Sequence, residues 1–121
     1  MKINFKRIDH VQITIPAGAE DEARKFYSGL LGLEEIEKPD SLKASGGVWF
    51  KIAAVELHLG VESPSETKRH PAFEIKNLDE VKKYLGENNV KIKEEIPIPG
   101  RKRFSLYDPF GNRIELLEYL F

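Results

Sequence analysis

Asp108-Pro-Phe-Gly-Asn-Arg-Ile-Glu-Leu-Leu-Glu-Tyr119 decides how the chain is read. Its first half is turn chemistry: proline presets φ, glycine and asparagine tolerate positive φ, and the run Arg113 to Glu118 behind it reads as a strand. Side chains alternate along a strand. If Ile114 and Leu116 enter a core, Glu115 therefore points out of the opposite face. A carboxylate held there is either a solvated surface group or part of a site.

Just upstream, Arg103 to Tyr107 supplies the other arm of a hairpin. Arg101-Lys-Arg103 before it is the only compact basic run in the chain, either a solvated turn or a holder of anions. Val90 to Ile96 reads as a strand and Pro97 to Gly100 as a loop. Asn77 followed by Glu80 resembles a capping box, and Leu78, Val81 and Leu85 form a helical stripe that stops at Gly86. His70 to Ile75 is a strand with Phe73 and Ile75 on one face and His70, Ala72 and Glu74 on the other.

The first half shows the same order of elements. In Ile8 to Ile15, Val11, Ile13 and Ile15 alternate with His10, Gln12 and Thr14, which describes a half-buried strand. A helix is expected over Glu20 to Leu31, with Ala23, Phe26, Tyr27, Leu30 and Leu31 on its apolar stripe and Gly32 as its stop. Leu33 to Lys38 is a short strand, Lys38 to Gly47 a patternless loop, and Val48 to Ile52 with Val55 to Leu59 a hairpin. The polar stretch Glu62 to Arg69 reads as a linker between two β-α-β-β-β halves.

The chain has 121 residues, 40% of them hydrophobic, which suits one compact domain with a real core. Its net charge of -1 provides no basic field for nucleic acid or an anionic membrane. It has no cysteine, which removes thiolate ligands and disulfides and suits a reducing cytosol. Nothing in the sequence resembles a signal peptide or a membrane span, so the expected location is the cytoplasm.

The repeat gives the polar residues a meaning. His10 and Glu56 are 46 residues apart, His70 and Glu115 are 45 apart, and each Glu sits in a similar string, Val55-Glu-Leu and Ile114-Glu-Leu. A tandem duplication would make the four pseudo-equivalent, all on the face away from the core. Two imidazoles and two carboxylates suit a divalent ion such as Ni, Co, Zn, Mn or Fe. Alternatively, each His is a hydrogen-bonded surface residue and each Glu a solvated one. His58, two residues beyond Glu56, shares its face and competes with it as ligand, or serves as an acid or base. Trp49 and Lys51 face the same way, Trp49 as a pocket wall or as cover for an edge.

Ile8-Asp-His10, Phe26-Tyr-Ser-Gly-Leu-Leu-Gly-Leu33, His70-Pro-Ala-Phe73 and Asp108-Pro-Phe-Gly-Asn-Arg-Ile-Glu115 resemble the vicinal oxygen chelate superfamily: glyoxalases, fosfomycin and bleomycin resistance proteins and extradiol dioxygenases. The resemblance implies an α+β fold. Two tandem βαβββ modules, about 5–61 and 69–121 of a single glyoxalase-like domain, would form a curved mixed sheet around a polar metal-binding cleft, with helices on the outer face. It implies the metal ligands His10, Glu56, His70 and Glu115, or His10, His70 and Glu115 alone.

The expected activity is that of a lyase/isomerase or thiol transferase acting on a small oxygen-rich substrate. Glu115, Glu56 or His58 would move the proton, while Trp49, Arg101 and Arg103 would contact the substrate. The alternative is a metal-free drug-binding protein of the bleomycin-resistance type. Members this short imply a homodimer, and the apolar tail Leu116 to Phe121 is the expected contact.

Overall fold

The computed structural model describes residues 1–63 and 67–120, so part of the expected linker and Phe121 lie outside the described residues. The chain divides into two compact units, Met1–Pro64 and Ser65–Phe121. Each carries one four-stranded mixed sheet. The fold is α+β, with two tandem βαβββ modules.

In the first unit β1 (His10–Ile15), β2 (Glu34–Ile36), β3 (Val48–Ile52) and β4 (Val55–Val61) lie in the order β1-β4-β3-β2. The outer strand β1 runs parallel to β4, and the other contacts are antiparallel. Helix α1 (Glu20–Arg24) packs toward β3. Ile13, Ile15, Ala23, Phe26, Tyr27, Val48, Phe50, Leu57 and Leu59 are all buried, and they are the alternate strand positions and helical stripe that the sequence marked as apolar.

The helix departs from expectation. From Lys25 to Leu30 it widens into a π-helical turn, with the Leu31 amide donating to the Phe26 carbonyl at 2.9 Å. Such a bulge shifts the stripe by one residue, and consecutive Phe26 and Tyr27 are both buried against the sheet. The expected loop also contains order, a 3-10 turn over Asp40–Ser45. After it, Gly47 has φ of +88°, and a Cβ there would stand 2.2 Å from the Leu59 carbonyl oxygen, so only glycine fits.

The second unit contains β5 (Ala72–Glu74), β6 (Lys91–Glu94), β7 (Arg101–Tyr107) and β8 (Arg113–Tyr119), in the order β5-β8-β7-β6. Helix α2 (Leu78–Glu87) lies against β6, β7 and β8. Leu78, Leu85, Phe104, Leu106, Ile114 and Leu116 form the core.

The basic run is not a turn. It begins β7, and period two divides it: Lys102 joins the helix side and pairs with Asp79 at 2.9 Å, while Arg101 and Arg103 go to the other face. The capping box is not formed either. Asn77 adopts φ of +58° and offers no side-chain cap; the Glu118 carboxylate on β8 accepts the Asn77 and Leu78 amides, both at 3.1 Å. The helix runs one residue past Gly86, and the left-handed residue after it is Asn89, with φ of +62°.

In the turn before β8, Gly111 takes φ of +87° and Asn112 does not take a positive one. Buried Asp108 organises the turn. Its carboxylate accepts the Phe110 amide at 2.9 Å, the Asn112 amide at 2.8 Å and the Asn112 side-chain amide at 2.7 Å. This local self-bonding starts β8 in the register that aims Glu115 away from the core.

Candidate functional site

In the first unit the strand registers gather the far-face groups. His10 is opposite Glu56 and Gln12 opposite His58, while Trp49 is opposite His58 and Lys51 opposite Glu56. Trp49 and His58 stack with ring centres 3.7 Å apart and planes within 3°. His10 stacks on the other side of His58 at 4.2 Å. Trp49 thus holds a histidine pair in place; a β-sheet allows this because opposite residues on one face come within ring-stacking distance.

Each of these imidazoles has one nitrogen committed. His10 Nδ1 is 2.9 Å from Asp9 Oδ2, and His58 Nε2 is 2.9 Å from Glu56 Oε1. An ionised carboxylate only accepts, so the facing ring nitrogen carries the proton. The hydrogen bond from His10 lowers the Asp9 carboxyl below its ordinary range, which reinforces the ionised form.

In the second unit Glu115 is nearly buried, its side chain 9% exposed, and His70 lies just before β5 with Nε2 3.3 Å from Glu115 Oε1. His70 Nδ1 is 2.9 Å from the Lys68 carbonyl oxygen, to which it donates. Arg103 Nη1 donates to Glu115 Oε1 at 3.1 Å, while its Nε and Nη2 bind the Ile96 carbonyl. Arg101 has no carboxylate partner among the described residues. It lies on the Tyr119 ring at 5.1 Å and donates to its hydroxyl at 3.3 Å.

Three participants escaped the sequence reading. Glu95, its side chain 6% exposed, accepts from Arg113 at 2.6 Å and lies 3.6 Å from Arg103 Nη1. Arg113 Nε also reaches the Ser105 hydroxyl at 3.3 Å, and Ser105 is fully buried opposite Glu115. The signal available was parity, since Ser105 and Arg113 share the far face with Arg103 and Glu115. Glu95 follows the last residue of β6 and carried no such mark.

The registers also bear on the repeat. Two residues beyond His10, Gln12 is opposite His58; two residues beyond His70, Ala72 is opposite Glu115. With the histidines matched, the place corresponding to Glu115 is held by His58, one pleat from the Glu56 that the linear spacing selected. Burial follows the same match: Leu57, His58 and Leu59 are buried, as are Ile114, Glu115 and Leu116.

Among the described residues no three His, Asp or Glu side chains form a group that could hold a metal ion. The donor chemistry nonetheless suits one. His10 and His70 each give Nδ1 to an oxygen acceptor, and His70 turns Nε2 to Glu115, the orientation that supporting hydrogen bonds impose on metal-binding histidines.

Residues 7–116 match the family model Glyoxalase/Bleomycin resistance protein/Dioxygenase superfamily. A glyoxalase family protein of known structure from Bacillus anthracis is 43% identical over 98% of this chain and 99% of its own, with a TM-score of 0.91. Two more distant structures share the fold. Lactoylglutathione lyase from Agrobacterium tumefaciens is 22% identical, covering 93% of this chain and 92% of its own, with a TM-score of 0.72. The fosfomycin resistance protein FosX from Listeria monocytogenes is 20% identical, covering 95% and 94%, with a TM-score of 0.74. No curated protein matches the chain.

Proposed function

Because the chain belongs to the Glyoxalase/Bleomycin resistance protein/Dioxygenase superfamily, we propose that it is a divalent-metal enzyme acting on a small oxygen-rich substrate, as a lyase/isomerase or a thiol transferase. The observation that carries this reading is the His70 and Glu115 pair. With Nδ1 donating to the Lys68 carbonyl, His70 turns Nε2 toward a carboxylate oxygen 3.3 Å away. A nitrogen and a carboxylate oxygen facing each other in this way suit a shared proton or a cation between them.

The candidate donors are His10 through Nε2 and His58 through Nδ1 on the first unit, and His70 through Nε2 and the Glu115 carboxylate on the second, with Ni, Co, Zn, Mn and Fe the ions that suit such groups. A bound ion supplies Lewis acidity toward substrate oxygens. The chain's own residues do the rest. Glu56, 41% exposed and hydrogen-bonded to His58, orients that ring and is the first candidate to take a substrate proton, with Glu115 the second. Arg101 neutralises an anionic group, and Trp49 holds His58 rigid. We place this activity in the cytoplasm; no helix among the described residues is long and apolar enough to cross a membrane.

One observation favours a second reading. Arg103 pairs directly with Glu115 and neutralises it, as suits a metal-free small-molecule binder of the bleomycin-resistance type. Metal analysis of the purified protein separates the two. Stoichiometric Ni, Co, Zn, Mn or Fe, lost in His10→Ala, His70→Ala and Glu115→Ala, supports the enzyme. Wild-type protein that takes up no ion in calorimetric titration rejects it.

A further inference from the structure

On the far face of the first unit, Lys51 of β3 lies between two glutamates, opposite Glu34 of β2 and opposite Glu56 of β4. Opposite charges directly across a sheet ordinarily pair. Here they do not. Glu56 turns to His58 instead, with Oε1 2.9 Å from Nε2, and neither Glu34 nor Lys51 has an ion pair among the described residues. The sheet thus holds out an ammonium group that its own carboxylates leave uncompensated.

Lys51 and Glu56 both line a cleft of about 300 Å³ at the end of the β3–β4 hairpin. One wall is Arg7 and Asp9, which neutralise each other at 3.0 Å; the Asp9 carbonyl accepts the Glu56 amide at 3.2 Å and ties that wall to β4. Ile36, Ala54 and Val55 supply apolar surface. What the cleft offers a ligand is therefore a cation in Lys51, the acceptor lone pairs of Glu56, and room for a short carbon chain.

We propose that this cleft is a carboxylate-binding site with Lys51 as its anion contact, and that its ligand is a short aliphatic α-hydroxy acid. The carboxylate meets the Lys51 ammonium, the hydroxyl donates to Glu56, and the chain lies on Ile36 and Val55. Each part is needed. A neutral alcohol leaves Lys51 unpaired, and a bare anion gives Glu56 no donor and sets like charge beside it. An amino acid brings a second ammonium group toward Lys51 and Arg7, which repel it. The role of the bound acid rests on the preceding reading, in which Glu56 is the first candidate to take a substrate proton, but the contact with Lys51 requires no metal.

The test is NMR titration of the full-length protein with α-hydroxyisocaproate, with and without EDTA. The acid should shift the amides of Ile36, Lys51 and Val55, and equally so with the chelator present. Lys51→Met should weaken binding by roughly three- to tenfold, as suits a charge-assisted contact of an exposed lysine, while Lys51→Arg should retain it. Isocaproate, without the hydroxyl, and α-hydroxyisocaproamide, without the charge, should each bind wild type more weakly. Wild type and Lys51→Met binding equally, or no shift at these amides, would overturn the site and leave the metal reading to its own analysis. Binding abolished by EDTA would assign the acid to a bound ion, overturning the site and supporting the metal reading. Leucine binding more tightly than the hydroxy acid would overturn the ligand class.

Discussion

His58 and Glu56 lie two residues apart on one strand face, yet the side chain of one is 7% exposed and that of the other 41%. The buried one is stacked between Trp49 and His10, and the exposed one holds its Nε2 proton. Under the proposed metal reading these would be the positions of a ligand and of the residue that orients it. Accordingly, His58→Ala should remove stoichiometric metal binding, whereas Glu56→Ala should weaken it by roughly tenfold to a hundredfold, the usual cost of losing such a support. Titration of the two variants decides. Metal loss in Glu56→Ala with binding intact in His58→Ala would reverse the roles and restore the assignment drawn from linear spacing.

At the scale of elements, both helices are tied down by carboxylate-to-amide hydrogen bonds between residues far apart in sequence. Glu118 caps α2 across 41 residues of sequence, so Glu118→Ala should cost about 1 kcal/mol, the typical value of a lost N-cap, and lower the melting temperature by a few degrees. Asn77→Ala and Glu80→Ala should cost less, since neither supplies the cap.

Glu20, in the first turn of α1, accepts the Gly47 amide at 2.8 Å; that bond, more than any other cause, lowers its pKa below the ordinary glutamate range. A lowered folded-state pKa contributes stability that is fully present above the unfolded value and lost as pH falls through the folded one. Wild type should therefore exceed Glu20→Gln in melting temperature by a constant margin near neutrality, and the margin should close as pH drops below about 4.5, the ordinary glutamate value. A margin unchanged by acid would show that the charge is irrelevant to this contact.

For the whole molecule the remaining matter is assembly. Tyr119 and Leu120 stay exposed at the end of β8, at 43% and 57%, and Ile3, Phe5 and Ile8 are exposed before β1. Both sheets also leave outer strands whose backbone groups can accept a partner, β1 and β2 in one and β5 and β6 in the other. A symmetric homodimer is the expected state, and deletion of Tyr119 to Phe121 should weaken it. Light scattering at micromolar concentration checks this, and a monomeric full-length chain would rule it out.

What the sequence determined by itself is what alternation and spacing encode locally. The apolar partners Ile13 with Ile15, Phe104 with Leu106 and Ile114 with Leu116 fixed the strands and their buried faces, and thereby put His10, His58, His70 and Glu115 on the opposite faces. The quoted motifs also carried the family. Tertiary structure decided every matter that depends on which strand lies beside which. Register made His58, not Glu56, the counterpart of Glu115, because pairing between β1 and β4 is a contact no linear spacing records. It brought Glu118 to the start of α2, and it divided the basic run so that Lys102 met Asp79 while Arg103 met Glu115. Buried charge settles on the nearest opposite charge or amide, and nearness in space is a property of the folded chain.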